Sequence, residues 1–121
     1  MKILHIPAAL ASLLIIVIAG CGEAPVRKPE GGERFSYETG ATPYSAAICI
    51  ARNARRSSGS IEAEEGLVGD SSMEVVVRSS GETLAVAQVH REGMKSRVSI
   101  EVIRAPGNDG RGFARMLMSK C

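Results

Sequence analysis

The sequence has few of the side chains on which most binding and catalytic sites depend. Its 121 residues contain no tryptophan, two phenylalanines, two tyrosines and two histidines. Basic and acidic residues nearly balance, with 15 Lys and Arg against 13 Asp and Glu, a formal net charge of +2. Nucleic-acid-binding proteins usually present a basic surface with interleaved aromatic side chains. The composition therefore predicts no nucleic-acid partner.

The N-terminal region carries the clearest pattern in the chain. Lys2 is followed by an apolar stretch from about Ala8 to Ala19. This stretch is shorter than the roughly 20 apolar residues that span a bilayer, and it has the length of the hydrophobic part of a secretory signal peptide. It ends in Ile18-Ala19-Gly20-Cys21. Small residues in the position of Ala19 and Gly20 are typical of a signal cleavage site.

Ile18-Ala19-Gly20-Cys21 resembles the lipobox of bacterial lipoproteins, with Ile18 in a position where Leu is more usual. The resemblance covers the first 21 residues. It implies cleavage between Gly20 and Cys21, a diacylglycerol on the Cys21 thiol and an acyl group on the new amino terminus. Apart from these lipids, no cofactor is expected. Several acyl chains hold a protein stably on a membrane, whereas one chain does so only marginally. An ordinary signal peptide or an uncleaved N-terminal helix is the alternative.

Gly22, the residue after the cysteine, bears on the destination of such a lipoprotein. In lipoproteins of Gram-negative bacteria, aspartate at this position is associated with retention in the inner membrane. Gly22 resembles the pattern for release to the outer membrane. For a Gram-negative source, the resemblance therefore implies a location on the outer membrane, facing the periplasm.

Composition divides the chain into three parts. Residues 1–20 are the expected signal peptide, and residues 21–42 are the expected lipidated terminus and flexible tether, rich in Gly, Pro and charge. Residues 43–121 are the expected domain, which is small enough for its core to need reinforcement. Without residues 1–20, 14 basic and 13 acidic residues remain. This balance gives no strong case for a polybasic membrane patch.

From residue 43 onward, the pattern predicts an α+β fold in the order α-β-β-β-β-α. Thr42-Pro43 is typical of a helix start, and the helix is expected over Pro43–Arg56. Alternating or β-branched segments predict four strands: Ile61–Glu64, Met73–Arg78, Thr83–His90 and Val98–Val102. The composition of the last segment, Arg111–Cys121, predicts a terminal helix. Short turns between the strands imply an antiparallel meander of three or four strands with both helices packed on one face.

Two cysteines remain if Cys21 carries lipid, namely Cys49 and Cys121. In an oxidising compartment an even number of cysteines favours a disulfide. On the expected helix Cys49 lies toward the polar side, which suits a bridge better than a packing role. Two unpaired thiols are the alternative. A redox-active pair is disfavoured because the chain has no Cys-x-x-Cys motif.

No set of residues in the sequence predicts catalysis or metal binding. His90 is the one histidine after residue 20, so a zinc site would need distant carboxylates. The segment Gly107–Gly112 lacks the Lys-Ser/Thr pair of a phosphate-binding loop, and a turn with Asn108 or Asp109 as helix cap is favoured. An acidic stretch fits no EF-hand loop and is expected to be a solvated face: Glu62, Glu64, Glu65, Asp70 and Glu74.

The sequence therefore predicts a lipid-anchored, non-enzymatic module of the cell envelope that binds another envelope protein or the cell wall. One alternative is a carrier of small molecules or lipids, which would need an apolar pocket of about 300 Å³ or more. The other is a small hydrolase, which would need His90, a serine or carboxylate, and an oxyanion site to converge in one cleft.

Overall fold

The computed structural model of the protein describes residues 32–121. Gly20, Cys21 and the first part of the expected tether lie outside these residues. The elements in chain order are β1 (Glu33–Thr39), α1 (Pro43–Ser57), β2 (Ile61–Val68), β3 (Ser72–Ser79), β4 (Glu82–Glu92), β5 (Lys95–Val102), a 3-10 turn (Pro106–Asn108) and α2 (Gly110–Met118).

The five strands form one antiparallel sheet in the order β1-β5-β4-β3-β2. Strands β2 to β5 are successive neighbours joined by tight turns. Gly69, Gly81 and Gly93 lie in these turns with φ of 69°, 82° and 65°, a conformation that glycine adopts without a steric penalty. Strand β1 completes the sheet beside β5, where Tyr37 lies opposite Val98.

The α+β class is confirmed, but the predicted order of elements is wrong at its beginning. A strand precedes the first helix, so the order is β-α-β-β-β-β-α and the sheet has five strands. This strand, Glu33–Thr39, falls in the segment that we expected to be tether, and the folded domain therefore includes residues 33–42. Strand β1 is held by residues about 60 positions later in the chain, and no turn links it to its partner, so local signals did not reveal it.

Both helices pack on the same face of the sheet. Helix α1 covers β2, β3 and β4, and α2 lies beside it over β5 and β1. The buried side of α1 consists mostly of alanines, which allow the helix to approach the strands closely, and Ile50 lies fully buried among them. Alternate residues of the strands complete the core, including Val75, Val89 and Ile100. We call the two helices and the side of the sheet that they cover the helix layer, and the opposite side the open sheet face.

Candidate functional site

A disulfide joins Cys49 to Cys121, which are 72 positions apart in the sequence and have their Cα atoms 5.7 Å apart. It links the middle of α1 to the segment after α2. One turn further along α1, the Asn53 side-chain amide donates to the carbonyl oxygens of Leu117 (2.8 Å) and Ser119 (2.9 Å). The Thr39 hydroxyl at the end of β1 donates to the carbonyl oxygen of Cys121 (2.6 Å). These contacts fix β1, α1 and α2 relative to one another.

His90 lies on the open sheet face and is exposed. Its Nε2 atom is 3.9 Å from Oε2 of Glu92, and no side-chain hydrogen bond orients the imidazole among residues 32–121. Arg97 is its cross-strand neighbour on β5. A catalytic histidine needs a reacting group within hydrogen-bond distance and a second group that orients the ring. The arrangement around His90 is that of an exposed strand residue beside an ion pair.

The acidic stretch is distributed over different parts of the domain. Glu62, Glu64 and Glu74 lie on the open sheet face, as the registers of β2 and β3 require. Glu65 points to the other side and accepts a hydrogen bond from Arg55 at 2.9 Å, while Asp70 lies in the turn after β2. Within residues 32–121 no group of three side chains of the metal-ligating types comes together.

An exposed ion pair lies on the open sheet face next to His90. The Nε atom of Arg97 donates to Oε2 of Glu92 at 2.6 Å. This hydrogen bond, with the charge of the guanidinium, lowers the pKa of the Glu92 carboxyl and raises the pKa of Arg97. Arg104 and Glu82 form a similar pair, which raises the pKa of Arg104. Exposed pairs of this kind contribute little to stability because water screens them.

A shallow cleft opens between the end of α1, the 3-10 turn and α2. It has a volume of about 330 Å³ and an apolar lining formed by Ile61, Pro106, Phe113 and Met116. A neighbouring polar hollow of about 430 Å³ shares Ile61 and Pro106 and includes Arg104 and Glu82. Both are open to solvent. The cleft could not be predicted from the sequence because three segments that are distant in the chain form it.

The cleft lies at the end of the sheet where the described chain begins. Glu33, the first residue of β1, lies opposite Val102 at the end of β5. The chain then continues through Arg104 and Ala105, which line the polar hollow beside the cleft. The N-terminal segment that precedes Glu33 therefore joins the domain at the cleft end.

The segment Gly107–Gly112 serves as the start of α2. Asp109 is the N-cap residue, and its Oδ1 atom accepts a hydrogen bond from the backbone N–H of Gly112 at 2.9 Å. Gly107 has φ of 69°, which allows the sharp turn before the helix. The backbone donor at this helix start is thus already bonded to a side chain of the same segment, as the cap interpretation of the sequence requires.

The comparisons with known proteins give no family. No protein-family model matches the chain, and no curated protein matches it. Among solved structures, PFC0360w, an HSP90 activator from Plasmodium falciparum, is similar over 69% of this chain and 83% of its own, with 14% identity and a TM-score of 0.38. At these values the similarity supports no statement about function. Neither helix in residues 32–121 is long and apolar enough to cross a membrane.

Proposed function

We propose that this protein is a lipid-anchored, non-enzymatic module of the cell envelope that binds another envelope protein or the cell wall. The observation that carries the proposal is Ile18-Ala19-Gly20-Cys21, with its resemblance to a lipobox. Lipid on Cys21 would hold the domain at the membrane surface, on the outer membrane facing the periplasm if the source is Gram-negative. The disulfide between Cys49 and Cys121 suits an oxidising compartment outside the cytoplasm.

The position of β1 shortens the tether. Strand β1 begins at Glu33, so residues 22–32 alone would connect a lipidated Cys21 to the domain. A chain of this length spans at most about 40 Å when fully extended. The partner therefore has to lie near the membrane surface, and the cleft lies at the end of the domain to which the tether is joined.

Substitution of Cys21 tests the anchor. We expect Cys21→Ser to abolish labelling by a fatty-acid probe and to block lipoprotein-type processing, because serine offers no thiol for the diacylglycerol. Wild-type chain in the same host is the control. Unchanged labelling and membrane retention of Cys21→Ser would refute the proposal.

Site-specific photo-crosslinking in the native envelope tests the partner surface. A crosslinker at Met116 reports on the cleft, and one at Gln88 reports on the exposed part of the open sheet face. We expect a defined protein or cell-wall adduct from Met116 and none from Gln88. Equal yields of adduct from the two positions would show that the cleft is not the binding surface.

The carrier alternative rests on the apolar lining of the same cleft, formed by Ile61, Phe113 and Met116. Its volume of about 330 Å³ is at the lower limit for a ligand site, and the cleft is open rather than enclosed. Native mass spectrometry of protein purified from membranes distinguishes the two functions. A stoichiometric non-covalent ligand that is lost in Phe113→Ala would favour the carrier.

A further inference from the structure

The charged residues of the domain are divided unequally between its two sides. Neither α1 nor α2 contains an acidic residue. The helix layer exposes seven basic side chains: Arg52, Arg55, Arg56, Arg91, Arg111, Arg115 and Lys120. Arg91 belongs to this set because its side chain lines a groove with Tyr44 of α1. The acidic residues on the same side are Glu33, Glu65 and Asp109, and the paired Glu82 and Arg104 beside Ile61 add one charge of each sign.

The open sheet face has the opposite excess. Its acidic residues are Glu38, Glu62, Glu64, Glu74, Glu92 and Glu101, as the strand registers place them. Four basic residues lie among them, and each forms an ion pair. Arg34 pairs with Glu101 (3.5 Å), Arg78 with Glu64 (3.3 Å), Lys95 with Glu38 (3.8 Å) and Arg97 with Glu92 (2.6 Å). The basic charge of this face is therefore neutralised locally.

The basic residues of the helix layer are mostly without such partners. Arg55 pairs with Glu65 at 2.9 Å. Among residues 32–121 the other six form no ion pair: Arg52, Arg56, Arg91, Arg111, Arg115 and Lys120. The Arg111 guanidinium lies 5.6 Å from the centre of the Phe35 ring, a contact that leaves its charge available. Uncompensated positive charge is thus gathered on one side of a domain whose total charge is nearly neutral.

We propose that the helix layer docks on the anionic phospholipid surface of the membrane to which the domain is tethered, an inference that rests on the proposed function. Arginine guanidinium groups bind lipid phosphates through paired hydrogen bonds. Each basic residue close to an anionic bilayer strengthens association by about fivefold. A short tether keeps the domain at a high effective concentration near the surface, so a few such contacts are sufficient. The acidic open sheet face then turns away from the membrane.

Fluorescence quenching on vesicles tests this orientation. The full lipidated chain is reconstituted in vesicles of phosphatidylcholine, with or without phosphatidylglycerol, that carry a spin-labelled headgroup. A fluorescent amino acid at Ser45 reports on the exposed side of α1, and one at Gln88 reports on the open sheet face. We expect phosphatidylglycerol to increase quenching about threefold at Ser45 and not at Gln88. Because the Debye length is about 3 Å at 1 M salt, high salt should remove the increase.

Two triple variants with the same change in net charge provide the control. Arg52→Gln with Arg56→Gln and Arg115→Gln should abolish the increase at Ser45. Arg34→Gln with Arg78→Gln and Arg97→Gln, on the open sheet face, should leave it intact. Equal quenching of Ser45 in the two lipids, an increase at Gln88 instead, or an increase that survives the first variant would overturn the proposal. Quenching that requires an added anionic cell-wall polymer would overturn it in favour of that polymer.

Failure of the anchor is distinguishable from failure of docking. If the chain purified from membranes carries no lipid, it will not co-float with vesicles of pure phosphatidylcholine, and that result refutes the proposed function. The docking is then tested by mixing the unlipidated chain with phosphatidylglycerol vesicles. Binding supports the docking, and no binding refutes it. A chain that co-floats with both kinds of vesicle but shows no lipid dependence at Ser45 refutes docking alone.

Discussion

Cys49 and Cys121 close a loop that runs from the middle of α1 to the segment after α2. Their separation of 72 positions makes the bridge a strong constraint on the unfolded chain. In the loop-entropy model a bridge of this span contributes about 4 kcal/mol. That amount is large for a domain of this size, since the total free energy of unfolding of a small domain is only a few kcal/mol.

We expect Cys49→Ala with Cys121→Ala to lower the free energy of unfolding by about 4 kcal/mol. Chemical denaturation measures this decrease, and reduced wild-type protein should show a similar decrease in the free energy of unfolding. Unreduced wild-type protein should take up no alkylating reagent at either cysteine. Mass analysis that finds two alkylatable thiols would contradict the bridge.

His90 is expected to be dispensable. It is exposed, and its neighbour Glu92 is already bonded to Arg97. His90→Gln should therefore change the free energy of unfolding by less than about 0.5 kcal/mol and leave complementation of a deletion strain intact. Loss of complementation at normal abundance and localisation would revive the hydrolase or metal-site interpretation.

The pKa of Glu92 provides a prediction about pH. Because Arg97 lowers this pKa, the ionised pair stabilises the folded state above the ordinary value of 4.5, and the contribution is lost as the pH falls through the lowered value. Arg97→Gln should raise the pKa of Glu92 toward 4.5, as followed by NMR titration of the carboxyl group. Arg78→Gln, which removes a different pair on the same face, should leave it unchanged.

At the scale of elements, the end of α2 depends on a side chain from α1. The last carbonyl groups of a helix have no partner within it. Asn53 supplies a donor to one such carbonyl group, at Leu117, and to that of Ser119, the C-cap residue. The contact also lies beside the disulfide, so the two helices are joined by both a covalent and a polar link.

We expect Asn53→Ala to lower the free energy of unfolding by about 1–2 kcal/mol, since the partly buried carbonyl group of Leu117 and the exposed one of Ser119 would lose their donor. Asn53→Asp should cost at least as much, because a carboxylate cannot donate. Arg52→Ala, at the exposed adjacent position, is the control and should stay within about 0.5 kcal/mol. Denaturation curves in which Asn53→Ala matches Arg52→Ala would contradict the capping role.

Elements with local signals could be predicted from the sequence, and those without could not. Thr42 accepts a hydrogen bond from the Ser45 N–H and caps α1, so the start of this helix was readable from two adjacent residues. Strand β1 had a weaker signal. Phe35 and Tyr37 alternate with polar residues over a short stretch, and the strand forms only because distant β5 offers its edge.

At the scale of the whole molecule, nearly neutral composition concealed two faces of opposite charge. The sequence did contain a signal, since α1 and α2 together hold five arginines and no acidic residue. Averaging the charge over residues 21–121 hid this excess of arginine, because the carboxylates that balance it lie at alternate positions of the strands. The fold places these two sets on opposite sides of one sheet.

The folded domain begins only a short distance after the expected lipid site, so the proposed anchor would hold the whole domain close to the membrane. Eleven residues, 22–32, separate Cys21 from β1, so the membrane surface is within reach of the cleft and of the helix layer. The proposed partner binding and the proposed membrane docking would both depend on this short connection.

Membrane anchorage through Cys21 is tested most directly by the mass of the N-terminal peptide of protein purified from membranes of a host that processes lipoproteins. We expect the peptide to begin at Cys21 and to carry a diacylglycerol on the thiol and an acyl group on the amino terminus. A peptide that begins before Cys21, or an N-terminal Cys21 without lipid, would contradict the anchor.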